Sequence, residues 1–139
     1  IGLVTLDTPS TTAANLTGYK FQALAATANR LGRKLRASGA NILIIECHVG
    51  ISVLLTTQGP EFEAIITVSG SESADACHCN PKDELFDMMK HLDNTIFDGV
   101  VSGHTHSVIH HWINGIPVMQ AGHNMEYFNL LRLTYDEEK

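Results

Sequence analysis

The sequence predicts an α/β domain, and three observations carry that reading. Two stretches of helical periodicity each run into a short apolar segment of strand character. The resulting order is strand, helix, strand, helix, strand. An antiparallel strand pair then follows around Asn114-Gly115, a strong signal for a two-residue hairpin turn.

Ile1 to Leu6 alternates weakly and reads as the first strand. Asp7 to Gly18, rich in Thr, Ser, Pro and Asn, reads as a loop. Phe21, Leu24, Ala25, Ala28, Leu31 and Leu35 recur at helical spacing, and Gly39 supplies the stop. Gly32 lowers the helix propensity in between. Asn41 to Glu46 contains Ile42-Leu43-Ile44-Ile45, a run apolar on both faces that predicts a central strand. From 51 to 76, Val53 to Thr57 and Ala64 to Val68 are β-branched and apolar, with Gly59-Pro60 between them. Irregular structure with one short strand or helix is expected there, and Ser69 to Asp75 reads as a surface loop.

Asn80-Pro81 predicts the start of a second helix, with Asn80 as N-cap and Asp83 and Glu84 in the first turn. Leu85, Met88, Met89 and Leu92 form its buried stripe. Phe97 to Val101 is the next strand. Val108 to Ile113 and Ile116 to Gln120 make the hairpin, and Tyr127 to Tyr135 reads as a last strand in an antiparallel meander. No internal repeat interrupts the 139 residues, which fit one modest domain or part of a larger one.

The net charge is −6, and the one basic cluster, Arg33, Lys34 and Arg36, reads as the solvated end of a helix. That balance argues against a nucleic-acid polymer as partner. No apolar run approaches the roughly 18 residues of a membrane span. Of three Cys, Cys47 closes an apolar strand and reads as a small core residue. Cys77-His78-Cys79 reads either as half of a zinc site or as a source of a loop disulfide. The chain opens on Ile1 and goes straight into a strand, which reads as an internal or processed segment. Asn15-Leu16-Thr17 fits the N-glycosylation acceptor pattern.

Eight His in an acidic chain is the compositional oddity. Two strand-and-helix units each deliver His to a post-strand loop, His48 from the first and His104 and His106 from the second. In open α/β sheets that end of the strands is where ligands bind. Neutral imidazole is a good ligand for zinc, manganese and iron. Gly50 and Gly103 beside these His permit tight turns and close backbone approach. Two His at i and i+2 point to opposite faces of an extended strand, but on a turn they can straddle a site. Spacing alone does not separate such ligands from ordinary loop histidines.

The surrounding residues add a resemblance. Gly103-His104-Thr105-His106, between two strands, resembles the Gly-His-x-His motif of calcineurin-like metallophosphoesterases, and within them the 5′-nucleotidase branch. Ile1 to Thr5 with Thr8-Pro9, Ala40 to Gly50, the hairpin Asn114 to Gly122 and the closing Leu131 to Asp136 resemble further family segments in the same order. The resemblance implies the second half of a two-sheet β-sandwich flanked by helices, spanning residues 1–139. It implies two divalent metal ions, zinc, manganese or similar, with His48 and His104 on one and His106 on the other. It implies metal-dependent hydrolysis of a phosphate ester, a nucleoside monophosphate first of all. The family's Asp-x-His, Gly-Asp and Asn-His-Glu motifs are missing here, so the missing amino-terminal half of the domain, in the same polypeptide or a companion chain, is the implied partner. This segment alone is therefore expected to be inactive. No substrate-contacting residue is assigned. Ala121 to Glu126 departs from the family's small, Gly-rich stretch. The branch is mostly secreted, periplasmic or surface-anchored, so a secreted or cell-surface location is expected.

Two other readings stand beside this one. The chain is a structural or assembly protein that retains the fold without catalysis, or a module in which the three His bind a single zinc. His78, His91, His110 and His111 read as exposed or capping residues, His123 as one that could approach the site, and Trp112 and Tyr127 as packing residues.

Overall fold

The computed structural model describes residues 1–51 and 80–136. Strand β1 (Gly2–Val4), helices α1 (Thr8–Thr11) and α2 (Leu24–Ala37), strand β2 (Ile44–His48), helix α3 (Glu84–His91), and strands β3 (Gly99–Val101), β4 (Val108–Ile113) and β5 (Ile116–Ala121) follow in that order. The strands form one sheet in the order β1-β2-β3-β5-β4. β1, β2, β3 and β5 run parallel, and β4 joins β5 antiparallel at the outer edge. The α/β class is the observed one. The expectations for Val53 to Thr57, Ala64 to Val68, Ser69 to Asp75 and Cys77-His78-Cys79 fall outside the described residues.

The hairpin is present, with positive φ at both Asn114 and Gly115 as a type I′ turn requires. It is not a simple meander, because β5 rather than β4 lies beside β3. Burial explains the choice. Ile116, Pro117, Val118 and Met119 are all buried, so β5 suits an inner position. β4 carries the half-buried His110, His111 and Trp112 and suits an edge. Those two His are therefore strand residues rather than exposed or capping ones. Asn114 also donates through Nδ2 to the carbonyls of Met89 (3.1 Å) and Leu92 (2.9 Å), tying the hairpin turn to the end of α3.

β2 corrects a second expectation. Leu43, Ile45, Cys47 and Val49 are buried, while Ile42, Glu46 and His48 are exposed. The strand is central, but only one of its faces is covered. The covered face joins Leu24 and Ala28 of α2, Leu85, Phe86, Met88 and Met89 of α3, and Val100, Ile109, Ile116 and Val118 in one buried cluster. Gly32 serves this packing. A Cβ there would stand 2.6 Å from Ile96 Cγ2 and 2.8 Å from Phe97 Cζ, so its low propensity is offset by close contact. Leu35 lies beyond the buried stripe and is exposed.

Arg36 is not part of a solvated basic patch. Its Nη2 donates to Asp98 Oδ2 at 2.7 Å and its Nη1 to the Asn41 carbonyl at 2.6 Å. Asp98 Oδ2 also accepts from the Leu43 amide at 2.7 Å. The end of α2 is thereby tied to the entries of β2 and β3.

Three boundaries differ from expectation. Asn80 does not cap α3; its Oδ1 accepts from the Lys82 amide, forming a turn, and the helix begins at Glu84. Within the expected loop, hydroxyl bonds from Thr8 to the Thr5 carbonyl and from Ser10 to the Asp7 carbonyl support the single turn α1. Tyr127 to Tyr135 forms no strand, and Tyr127, Phe128, Leu130, Leu133 and Tyr135 are exposed. No helix among the described residues is long and apolar enough to cross a membrane.

Candidate functional site

The register pairs Glu46 with Val101, so the carboxyl ends of β2 and β3 lie side by side. His48 ends β2 on the uncovered face, and its carbonyl accepts from the Thr5 amide at 3.0 Å. After β3 the chain turns through Ser102 to Ser107. The glycine of this turn is not its strained position, contrary to expectation. Gly103 needs no special conformation, and its nearest neighbour would be His48 Nδ1 at an ordinary 3.6 Å. The left-handed positions are His104 (φ 80°) and His106 (φ 58°) themselves.

A left-handed non-glycine residue costs on the order of 1–3 kcal/mol, so the surroundings must hold both in place. Thr105 between them supplies the anchor. Its Oγ1 donates to the Ile51 carbonyl at 2.7 Å and accepts from Gln120 Nε2 at 3.0 Å. Gln120 is fully buried. Gly50 is needed for close approach, since a Cβ there would lie 2.2 Å from Thr105 Cγ2. With Thr105 turned inward, His104 and His106 are both exposed.

The two then meet different partners. His104 Nδ1 stands 3.2 Å from His48 Nε2, with the rings edge to face at 72°. His106 stacks on His123, with centroids 5.1 Å apart and planes 14° from parallel. His123 Nδ1 is 4.0 Å from Glu126 Oε2. The Gly122 amide donates to the Ser107 carbonyl at 3.0 Å, which binds the loop after β5 to the loop after β3.

The His48–His104 pair fits a divalent cation. Two nitrogens at about 2.0–2.1 Å from a tetrahedral zinc stand about 3.3–3.4 Å apart, close to the observed separation. Without a cation the same spacing suits one N–H···N hydrogen bond. Cys47, next to His48, is buried on the opposite, covered face of β2, where burial pushes its thiol pKa up to about 12. Glu84 is engaged elsewhere, accepting from Thr5 Oγ1 at 2.5 Å and the Leu6 amide at 2.8 Å. Among the described residues no group of three or more His, Cys, Asp or Glu is placed to hold a metal ion. The three expected ligands thus form one facing pair and one separate residue.

His123, expected as a residue that could approach the site, stands against His106, whereas Thr105 and Gln120 were not singled out as site residues by sequence reasoning. Thr105 lies between the two His and Gln120 near the end of β5, but their contact joins two neighbouring strand ends 15 residues apart in sequence and has no local signal. Comparison with protein-family models, curated proteins and solved structures finds no match for this chain.

Proposed function

We propose that this chain is the second half of a two-metal phosphoesterase domain acting on nucleotides. The observation that carries the reading is the His48 Nε2 to His104 Nδ1 separation of 3.2 Å at the adjacent ends of β2 and β3. His48 and His104 would hold one divalent cation, and His106, directed away from them by the Thr105 anchor, would face a second. When bound, such cations supply Lewis acidity for hydrolysis of a phosphate ester. Thr105, Gln120 and Gly50 keep the imidazoles in position. The stacked His123 limits rotation of the His106 ring.

Two His cannot complete a cation's coordination, so further ligands must come from other residues. The uncovered face of β2 supports where they would enter. Val4, Ile42 and Val101 are exposed there, beside Glu46 and His48. A second sheet packed on this face would complete a sandwich and place its residues beside the His pair. The secreted or cell-surface location belongs to the same proposal.

The test is metal analysis and phosphatase assay of the chain joined to the residues that complete the domain. The reading expects about two divalent metals and hydrolysis of a nucleoside monophosphate. A folded, metal-free and inactive protein would instead support the structural alternative.

A further inference from the structure

We infer that Asn15 is an acceptor for an N-linked glycan. The tripeptide Asn15-Leu16-Thr17 lies between α1 and α2, in a stretch without helix or strand. Asn15 and Thr17 are exposed, and Leu16 is half-buried. Asn15 Oδ1 accepts from the Thr17 amide at 3.0 Å, and the Tyr19 amide donates to the Leu16 carbonyl at 3.0 Å. Gly18, at φ 92°, takes the left-handed position that closes this turn.

The hydrogen bonding leaves the reacting groups available. The carboxamide oxygen is held by Thr17, while Asn15 Nδ2 and Thr17 Oγ1 donate to no acceptor among the described residues. A bulky glycan needs an attachment point that remains on the surface of the folded chain. Asn15 meets that need, because neither it nor Thr17 contributes to the buried cluster. The co-substrate is a lipid-pyrophosphate-linked oligosaccharide. A bond forms from Asn15 Nδ2 to the sugar's anomeric carbon, and the bond from that carbon to the pyrophosphate oxygen breaks. The lipid pyrophosphate leaves, and the amide nitrogen loses one proton.

The inference rests on the secreted reading for its biological setting, so the experiment separates the two. The chain is expressed in a eukaryotic cell behind a secretory leader, with an unrelated acceptor tripeptide appended after Lys139 to mark delivery. Two glycans are expected on the wild type, each removed by peptide N-glycosidase. One is expected on Asn15→Gln and on Thr17→Ala, and two again on a fraction of Thr17→Ser. A wild-type chain glycosylated at the appended tripeptide alone would overturn the inference. Mass spectrometry of the protein from its native source tests location. An unmodified native Asn15, with full use behind the leader, supports the site and overturns the secreted reading.

Discussion

Thr105 is seated against Gly50 so closely that a methyl group on Gly50 would stand 2.2 Å from Thr105 Cγ2 and 2.9 Å from its backbone nitrogen. This contact joins the loop after β2 to the loop after β3. Gly50→Ala is therefore expected to push Thr105 outward and separate His104 from His48. Overpacking of this kind costs about 1–3 kcal/mol. Urea denaturation would read the loss of stability, and ring-to-ring nuclear Overhauser contacts would read the separation.

The hydroxyl of Thr105 makes a second prediction. Thr105→Val keeps the shape but leaves buried Gln120 Nε2 without its bond, at a cost of about 1–3 kcal/mol. Thr105→Ser retains the hydroxyl and is expected to recover most of that loss. Equal destabilisation by the two variants would show that the methyl contact, not the hydrogen bond, holds the loop.

Cys47 is expected to resist alkylation in the native chain at pH 8, since burial keeps it as the unreactive thiol. The check is mass spectrometry of its peptide after iodoacetamide treatment, native against urea-unfolded. Modification is expected only in the unfolded sample.

His110 should make stability depend on pH. Burial, and then neighbouring His111, lower its pKa below the ordinary 6.5. The unfolded chain therefore takes up the proton first as pH falls. The contribution is fully present above about pH 6.5 and is lost progressively as the pH falls below that value towards the folded-state pKa. Thermal melts from pH 7.5 to 5 should show a smaller decline for His110→Gln than for the wild type. Parallel declines would contradict this assignment.

Much of the fold is legible locally. The spacing of Leu24, Ala25, Ala28 and Leu31, the apolar run through Ile45, and Asn114-Gly115 each specify their element through short-range chemistry. Long-range pairing is not legible in the same way. Whether β4 or β5 lies beside β3 depends on which can be buried on both faces. Tyr127 to Tyr135 alternates like a strand but pairs with none among the described residues. At the site, His48, His104 and His106 stand out as residue types. Their geometry does not, because left-handed φ values at His104 and His106 run against local preference and are held by Gln120 and Gly50 from elsewhere in the chain.

The most direct measurement follows the imidazole resonances of the isolated chain by nuclear magnetic resonance during a Zn²⁺ titration, in the wild type and in His48→Ala, His104→Ala and His106→Ala. One event that shifts His48 and His104 together is expected. Either of their substitutions should abolish it, and His106→Ala should leave it intact. Loss of that event in all three variants would mean a single cation shared by three His, and would contradict the division of ligands on which the proposed two-metal site depends.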